Sequence, residues 1–192
     1  IAKTMNFCLL YGGSVGAVYH LLAKEGYNFN YKQCEEFFKK YWKALNKFKW
    51  WKENEIKKAE YYGYVDSYAG RRRNMKQFFD DPGMVKFGRR SVISHKIQGA
   101  GGDIMRLCLL KLFPLFKQHQ NKIKFQSSVH DEINFLVRKD SLEFISIIRD
   151  IMEMYLEGFT RKLQTETEIG YLYGQLFPVD DDLNFKFFRK EA

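Results

Sequence analysis

The chain of 192 residues is 45% hydrophobic and 17% aromatic, which is enough apolar material for one packed domain or two small ones and excludes a disordered chain. Its formal net charge is +9, but residues 1–125 carry 24 Lys and Arg against 10 Asp and Glu, whereas residues 126–192 carry 8 against 13. The three cysteines lack zinc-site spacing, and there is neither an apolar run of membrane length nor a signal-peptide pattern, so we expect a cytoplasmic protein without membrane contact.

An apolar helical pattern opens the chain. Over residues 1–12, the side chains of Phe7, Leu10 and Tyr11 fall on one face of a predicted helix. The pattern is already under way at the first residue. We therefore expect a fragment, a processed product or half of a split protein.

Three further helices are predicted before residue 61. The first follows the break at "GGSV" and runs to about Lys24. Asn30 and Gln33 have the spacing of a capping box for the second, and the third covers residues 46–60. The last two are rich in Lys and aromatic residues, which an apolar stripe backed by a solvated basic face would explain without a ligand.

Residues 61–75 predict two short β segments joined by a turn at Ala69 and Gly70. The turn leads into three consecutive arginines: Arg71, Arg72 and Arg73. These side chains suit contacts with a phosphate backbone, and a solubilising patch is the alternative. Residues 77–87 have the Pro and Gly content of a loop, where we expect a boundary between two parts of the chain.

A long helix is predicted from Gly88 past "GAGG" into the apolar run "DIMRLCLLKLFPLF". Arg90, Ser94 and Gln98 are four residues apart, so they form a hydrogen-bonding stripe on one face of this helix. Such a stripe suits base edges or sugar oxygens. The glycines lack the spacing of a dinucleotide fold and indicate close approach of another backbone or a nucleic acid.

The segment "KIKFQSSVHDEINFLV" alternates in polarity on both sides of an acidic pair, which predicts a β-hairpin with His130, Asp131 and Glu132 at or near its turn. Asp140 and Glu143 then have the spacing of a capping box for a helix that could end at Gly158. "TETEIGYLYGQLF" adds one more predicted strand and turn. The expected fold class is α+β.

Four segments together resemble the family A DNA polymerases, the bacterial DNA polymerase I type. "AKTMNFCLLYG" resembles motif B of that family, and "VHDE" within a strand-turn-strand resembles motif C. "GYVDSYAGRRR" and "KIQGAGGDIM" resemble two segments that lie between those motifs, in the same order. The resemblance implies a partial right-hand-shaped polymerase, with a fingers portion over residues 1–78 and a palm portion with an antiparallel sheet over residues 79–192.

The resemblance implies magnesium-dependent nucleotidyl transfer from dNTPs to the 3′ end of a DNA primer. In-line displacement at phosphorus is assisted by two divalent ions, and Mg²⁺ prefers carboxylate oxygens. By resemblance Asp131 is a metal ligand, Glu132 supports it, and His130 contacts the primer terminus. The metal site would need a second carboxylate from elsewhere.

The nucleotide and template roles fall on the first predicted helix. By resemblance Lys3 binds the triphosphate and helps to protonate the leaving pyrophosphate, because a cation stabilises the charge that develops there. Phe7 would pack beside the sugar and Tyr11 would stack at the templating base, while Gly12 leaves room for the template strand. The implied contacts with primer-template DNA also include the following residues: Arg71, Arg72, Arg73, Arg90, Ser94 and Gln98.

Three positions depart from the family pattern. Cys8 stands where Gly is usual, Ser94 stands where Asn is usual, and Phe7 replaces the Tyr of some members. The Phe at this position removes a hydroxyl beside the sugar. We therefore expect poor acceptance of 3′-dideoxynucleotides.

The motif A carboxylate and an Arg that normally precedes the motif B Lys by four residues would both fall before residue 1. We therefore expect this chain alone to be inactive, and to need an N-terminal part that carries the thumb and motif A. A phage with a split or interrupted polymerase gene is one source that fits. The alternatives are a nucleic-acid-binding remnant without catalysis and, with the least support, a nuclease built on Asp131 and Glu132.

Overall fold

The computed structural model describes residues 2–179. Contacts within the chain define two compact units, Ile1–Asp103 and Ile104–Ala192. The fingers and palm portions expected from the sequence cover residues 1–78 and 79–192. They are polymerase subdomains, whereas the two units are defined by contacts within the chain. That division stays a prediction.

Four helices begin the first unit: α1 (Ala2–Leu10), α2 (Val15–Lys24), α3 (Tyr31–Ala44) and α4 (Asn46–Tyr62). The predicted capping box of α3 is confirmed, since the side chains of Asn30 and Gln33 each accept a hydrogen bond of 2.9 Å from the other residue's backbone N–H. This exchange satisfies two donors that a helix start leaves unpaired. The apolar faces of α1, α2 and α3 share one core: Met5, Leu9, Val18, Leu22 and Cys34.

The rest of the first unit contains an antiparallel hairpin of β1 (Tyr64–Asp66) and β2 (Arg72–Asn74), followed by α5 (Lys76–Phe79) and the start of α6 (Val85–Gln118). A second core joins α4, the hairpin and α6: Ala59, Val65, Met75, Val92 and Ile93.

The predicted loop over residues 77–87 is wrong at both ends, because α5 and the first turn of α6 occupy part of it. The reason lies at Gly88, where a Cβ would come within 2.9 Å of the Cβ of Phe78 and 3.0 Å of a ring carbon of Phe79. The phenylalanines of α5 thus pack against a position of α6 that has no side chain. Tertiary packing stabilises this short helix, which its sequence alone does not indicate.

The second unit contains the remainder of α6 and two antiparallel hairpins. Its further elements are β3 (Ile123–Val129), β4 (Glu132–Val137), α7 (Glu143–Met152), β5 (Thr167–Leu172) and β6 (Gln175–Val179). Strand β3 pairs with β4, and β5 pairs with β6. The core of this unit consists of Leu112, Phe116, Ile123, Phe144 and Ile148.

The prediction for α7 is wrong in its cap and in its end. The carboxylate of Asp140 accepts hydrogen bonds from Arg138 at 3.0 and 2.6 Å and from the hydroxyl of Ser141, so it caps nothing. The helix ends at Met152, six residues before Gly158. The last predicted strand and turn form a complete hairpin, β5 and β6.

The α+β fold class is confirmed, since helices combine with three two-stranded antiparallel sheets over residues 2–179. Pro114 lies inside α6, near its end. No helix within the described range is both long enough and apolar enough to cross a membrane.

Candidate nucleotide and nucleic-acid site

Helix α1 presents an aromatic pair at its carboxyl end. The rings of Phe7 and Tyr11 are stacked with centroids 6.3 Å apart and planes 6° apart, as expected for residues four apart on one helical face. Tyr11 packs against the second core of the first unit, whereas Phe7 is 48% exposed. Lys3, one turn earlier, is exposed. A packed aromatic ring, a half-exposed aromatic ring and an exposed lysine therefore lie along one face of the helix end.

Gly12 closes this helix in a Schellman motif. Its N–H donates to the carbonyl of Leu9 at 3.0 Å, and the N–H of Gly13 donates to the carbonyl of Cys8 at 2.8 Å. The motif requires a left-handed residue, and Gly12 has φ +89°. The backbone of the helix end therefore favours glycine at position 12, a structural role that the sequence resemblance did not identify.

Gly12 also brings α1 beside α6. A Cβ at Gly12 would lie 3.3 Å from Cγ of Arg90, so a side chain there would require the arginine side chain to shift by a few tenths of an ångström. On the same face of α6, the hydroxyl of Ser94 donates to the side-chain oxygen of Gln98 at 2.8 Å. The structure thus places Tyr11, Gly12 and the start of the predicted polar stripe together.

The three consecutive arginines all have partners within the first unit. Arg71 donates through Nε to the carboxylate of Asp103. Arg72 makes a bidentate pair with Asp66 at 2.9 and 3.1 Å, and its guanidinium lies 3.6 Å from the ring centre of Tyr64. The guanidinium of Arg73 lies 5.8 Å from the ring centre of Phe78. The arginines therefore stabilise the β1–β2 hairpin. The side chain of Arg71 is nevertheless 44% exposed and that of Arg72 is 59% exposed.

Asp103 is a positioning residue that sequence reasoning did not assign to the site. Its side chain is 1% exposed and accepts hydrogen bonds from Arg71 and from the backbone N–H of Ala69 at 2.9 Å. Burial opposes ionisation, but hydrogen bonds from Ser67, Ala69 and Arg71 outweigh it and lower the pKa of this carboxyl. The carboxylate therefore fixes the turn that leads into the arginines. The signal in the sequence is an acid at the entrance to an apolar helical run.

His130 and Asp131 form the turn between β3 and β4, and Glu132 pairs with Val129 across it. This confirms the predicted hairpin. His130 has φ +54°, and no other residue in the described part of the chain combines positive φ with a side chain beyond glycine. Backbone strain of this kind persists where surrounding structure or function requires the residue. All three side chains of the predicted site are exposed.

A cleft of about 970 Å³ lies in the second unit beside this hairpin. Its acidic lining consists of Asp131, Glu132, Glu153, Glu166 and Glu168. Apolar side chains of α7 contribute to the same lining, and so does the edge of β4. Strand β4 has no strand partner other than β3 within residues 2–179.

The carboxylates at the hairpin have the chemistry that a divalent magnesium ion requires. Asp131 and Glu132 are adjacent, exposed and without an ion pair to any residue in the described range, and hard carboxylate oxygens are preferred Mg²⁺ ligands. Within residues 2–179, however, no group of three acidic, His or Cys side chains is arranged to hold a metal ion. The pair fits a partial donor set, to which further ligands must be added.

The sequence of the chain is similar to those of known DNA polymerases. The sequence model of DNA polymerase family A matches residues 1–175. The thermostable DNA polymerase I of Thermus filiformis is 30% identical over 171 residues, which cover 88% of this chain and 19% of that protein. The corresponding enzyme of Thermus aquaticus is 31% identical over 157 residues, which cover 79% of this chain and 18% of that protein.

A solved structure has the same fold. The POL domain of Pol1 from M. smegmatis, in complex with DNA primer-template and dNTP, matches with a TM-score of 0.70 at 20% identity. The match covers 79% of this chain and 26% of that chain. The chain thus has the fold of part of a polymerase domain and spans about a fifth of the length of the two Thermus relatives.

Proposed function

The chain belongs to DNA polymerase family A, and from this premise we propose that it is the C-terminal part of a template-directed DNA polymerase. It joins dNTPs to the 3′ end of a DNA primer in replication or repair, in the cytoplasm. The observation that carries the proposal is the family match over residues 1–175 together with an exposed carboxylate pair on the β3–β4 turn.

The first unit would bind the incoming nucleotide and the template. The exposed ammonium group of Lys3 would hold the triphosphate and stabilise negative charge on the leaving pyrophosphate. Phe7, which is half-exposed, would contact the sugar, and the ring of Tyr11 would stack at the templating base. Gly12 and Arg90 would meet the template strand where α1 adjoins α6.

Further contacts with primer-template DNA would come from the polar stripe of α6. Ser94 and Gln98 present hydroxyl and amide groups that hydrogen-bond to each other in the free protein and suit sugar or base-edge atoms. The exposed edges of Arg71, Arg72 and Arg73 would add phosphate contacts while their other edges hold the β1–β2 hairpin. An arginine has five donors, so an internal partner leaves some of them for phosphate.

The second unit would supply one side of a two-magnesium site. Asp131 would be the direct ligand, Glu132 would support it, and His130 would contact the primer terminus. When bound, the two ions lower the cost of charge on the attacking and leaving oxygens. The chain's own task is to present both exposed carboxylates at the β3–β4 turn.

An upstream part would complete the site. Strand β4 has a free edge within the described range and borders the cleft of about 970 Å³. A strand that carries the motif A carboxylate would bring a further oxygen ligand near Asp131. We propose that this strand and the thumb lie on a preceding part of the polymerase, since the relatives are about five times as long as their match to this chain. The fingers and palm assignments belong to the same proposal.

The test is magnesium-dependent primer extension by this chain alone and by its mixture with the polypeptide encoded immediately upstream. Extension in the mixture alone is the expected result. Extension by the chain alone would show that the upstream part is dispensable and would point to Glu132 as the second acid, because Asp103 is buried and bound to Arg71. If neither the chain alone nor the mixture extends the primer, while binding of primer-template is retained, the polymerase proposal is replaced by that of a nucleic-acid-binding remnant.

A further inference from the structure

The corner between α3 and α4 has an unusual composition. Residues 37–52, which we call the lysine–tryptophan corner, contain six lysines, seven aromatic residues and no acidic residue. All three tryptophans of the chain lie there: Trp42, Trp50 and Trp51. An apolar stripe explains the aromatic residues that point into the core, but it does not explain a tryptophan on the outside.

Trp50 is that outer residue. It is 66% exposed, although tryptophan is normally a largely buried residue. With Asn46, Lys47 and Trp51 it lines a shallow groove of about 460 Å³ on the first turns of α4. The groove therefore combines a flat aromatic surface with an ammonium group at its border.

The other aromatic side chains hold this surface in place. The rings of Trp42 and Phe48 are stacked with centroids 6.4 Å apart, and those of Phe48 and Trp51 are 5.3 Å apart. Lys52 places its Nζ 4.9 Å from the centre of the Trp42 ring. The tilted stack joins the end of α3 to the start of α4, so Trp50 projects from a rigid base.

We propose that the lysine–tryptophan corner binds single-stranded nucleic acid. Unpaired bases stack on exposed aromatic rings without regard to sequence, while lysines contact the phosphates between them. The charge is complementary, because six lysines lie within 16 residues and no carboxylate opposes them within that segment. A duplex fits less well, since its bases are already stacked and cannot cover an indole ring.

This surface is separate from the residues proposed above for nucleotide and primer-template binding. It needs neither magnesium nor dNTPs nor an upstream part. Its test therefore succeeds or fails independently of polymerase activity.

The first measurement uses fluorescence anisotropy to follow binding of a labelled oligothymidylate of about 16 nucleotides to the full 192-residue chain. Trp50→Ala should weaken binding about tenfold, as the loss of one stacked base predicts. Trp50→Phe should restore most of the affinity. Tyr61→Ala is the matched control, because Tyr61 is 83% exposed on the same helix but lies outside the groove.

The second measurement is the salt dependence of the same binding. Lys47→Gln with Lys49→Gln should reduce the slope of log affinity against log salt by about 1.4, since each phosphate contact on a single strand contributes about 0.7. Lys117→Gln with Lys124→Gln removes two exposed lysines of the second unit and should leave most of the slope unchanged.

Each of four results would overturn the proposal. The first is unchanged affinity in Trp50→Ala, and the second is an equal loss of slope in both lysine pairs. The third is tryptophan emission that changes on dilution of the protein without oligonucleotide, which would assign the corner to contact with a second copy of the chain. A blunt duplex of about 16 base pairs should bind more weakly than the single strand, and equal binding that is insensitive to Trp50→Ala would contradict the assignment as well.

Discussion

The guanidinium of Arg71 is held by the buried carboxylate of Asp103, which lies 32 positions later in the chain. Asp103→Asn would remove the charge and leave donors of Arg71 and Ala69 poorly satisfied. We expect a loss of about 2 kcal/mol in the free energy of unfolding, below the value for a fully buried pair because Arg71 is 44% exposed. Urea denaturation followed by circular dichroism measures it. Asp66→Asn, at the more exposed pair with Arg72, should have a clearly smaller effect, and equal effects would contradict a special role for Asp103.

Stability should fall in acid for the same reason. Folding lowers the pKa of Asp103, and hydrogen bonds and positive charges also lower the pKa of Glu55 and Glu153 against the effect of burial. A carboxyl with a lowered folded pKa contributes stability above its unfolded pKa, about 4, and loses it as the pH falls through the folded value. We expect these groups to cause no change in the urea midpoint between pH 7 and 5. Below about pH 4 the midpoint should fall. The drop should be smaller in Asp103→Asn, and an identical pH profile would exclude its contribution.

Gly12 should be more sensitive to substitution than its backbone angle alone requires. Gly12→Ala combines φ +89° with a Cβ 3.3 Å from Arg90, whereas Gly26→Ala combines φ +80° with open space. Both should lose about 1–2 kcal/mol of stability from the left-handed backbone. Only Gly12→Ala should also weaken primer-template binding, measured by anisotropy at a temperature where both variants are folded. Equal binding by the two variants would show that the contact with Arg90 has no part in the site.

Asp131→Asn should slow extension by the completed polymerase about a hundredfold while DNA binding changes by less than about twofold. Loss of about 3 kcal/mol of metal-assisted stabilisation corresponds to about a hundredfold in rate. Single-turnover primer extension with the upstream part present measures it. Asp150→Asn is a control, because Asp150 is an exposed acid of α7 that does not line the cleft. Normal extension by Asp131→Asn would refute the ligand assignment.

Phe7 should make the completed polymerase discriminate against dideoxynucleotides. The ring carries no hydroxyl to replace the missing 3′-hydroxyl beside the sugar. We expect a preference for dNTPs of about tenfold or more, which corresponds to about 1.4 kcal/mol. A competition of ddNTP and dNTP in primer extension measures it, and Phe7→Tyr should reduce the preference. Near-equal use by the unmodified chain would overturn the prediction.

Local sequence patterns predicted local structure well. The capping box of α3 joins residues three positions apart, and its two side chains bond to each other's backbone as the spacing predicts. The turn of the β3–β4 hairpin was likewise placed correctly at His130 and Asp131. At Asp140 the same capping pattern fails because Arg138 supplies a charged, bidentate partner two residues away. Spacing alone does not rank competing partners.

Contacts between distant segments explain what the sequence could not predict. The pairing of Arg71 with Asp103 depends on β1, β2 and α6 meeting, and no local rule relates residues 32 positions apart. The helix α5 packs against α6 at Gly88, where the absence of a side chain admits the Cβ of Phe78 and the ring of Phe79. In the candidate site, residue types identified the acidic hairpin and the α1 face, while the internal partners of the arginines required the fold.

Pro114 has a further consequence for the dynamics of α6. A proline has no N–H, so the carbonyl of Leu110 lacks its usual helical donor, and Leu110 itself is 70% exposed to water. The turn after Pro114 is held mainly by Phe116 and Leu115 in the apolar core. Local opening at this end of the helix therefore breaks fewer backbone bonds than opening near Val92 and Ile93, which are fully buried. Hydrogen exchange would begin here, and the helix would fray from this end while the rest stays closed.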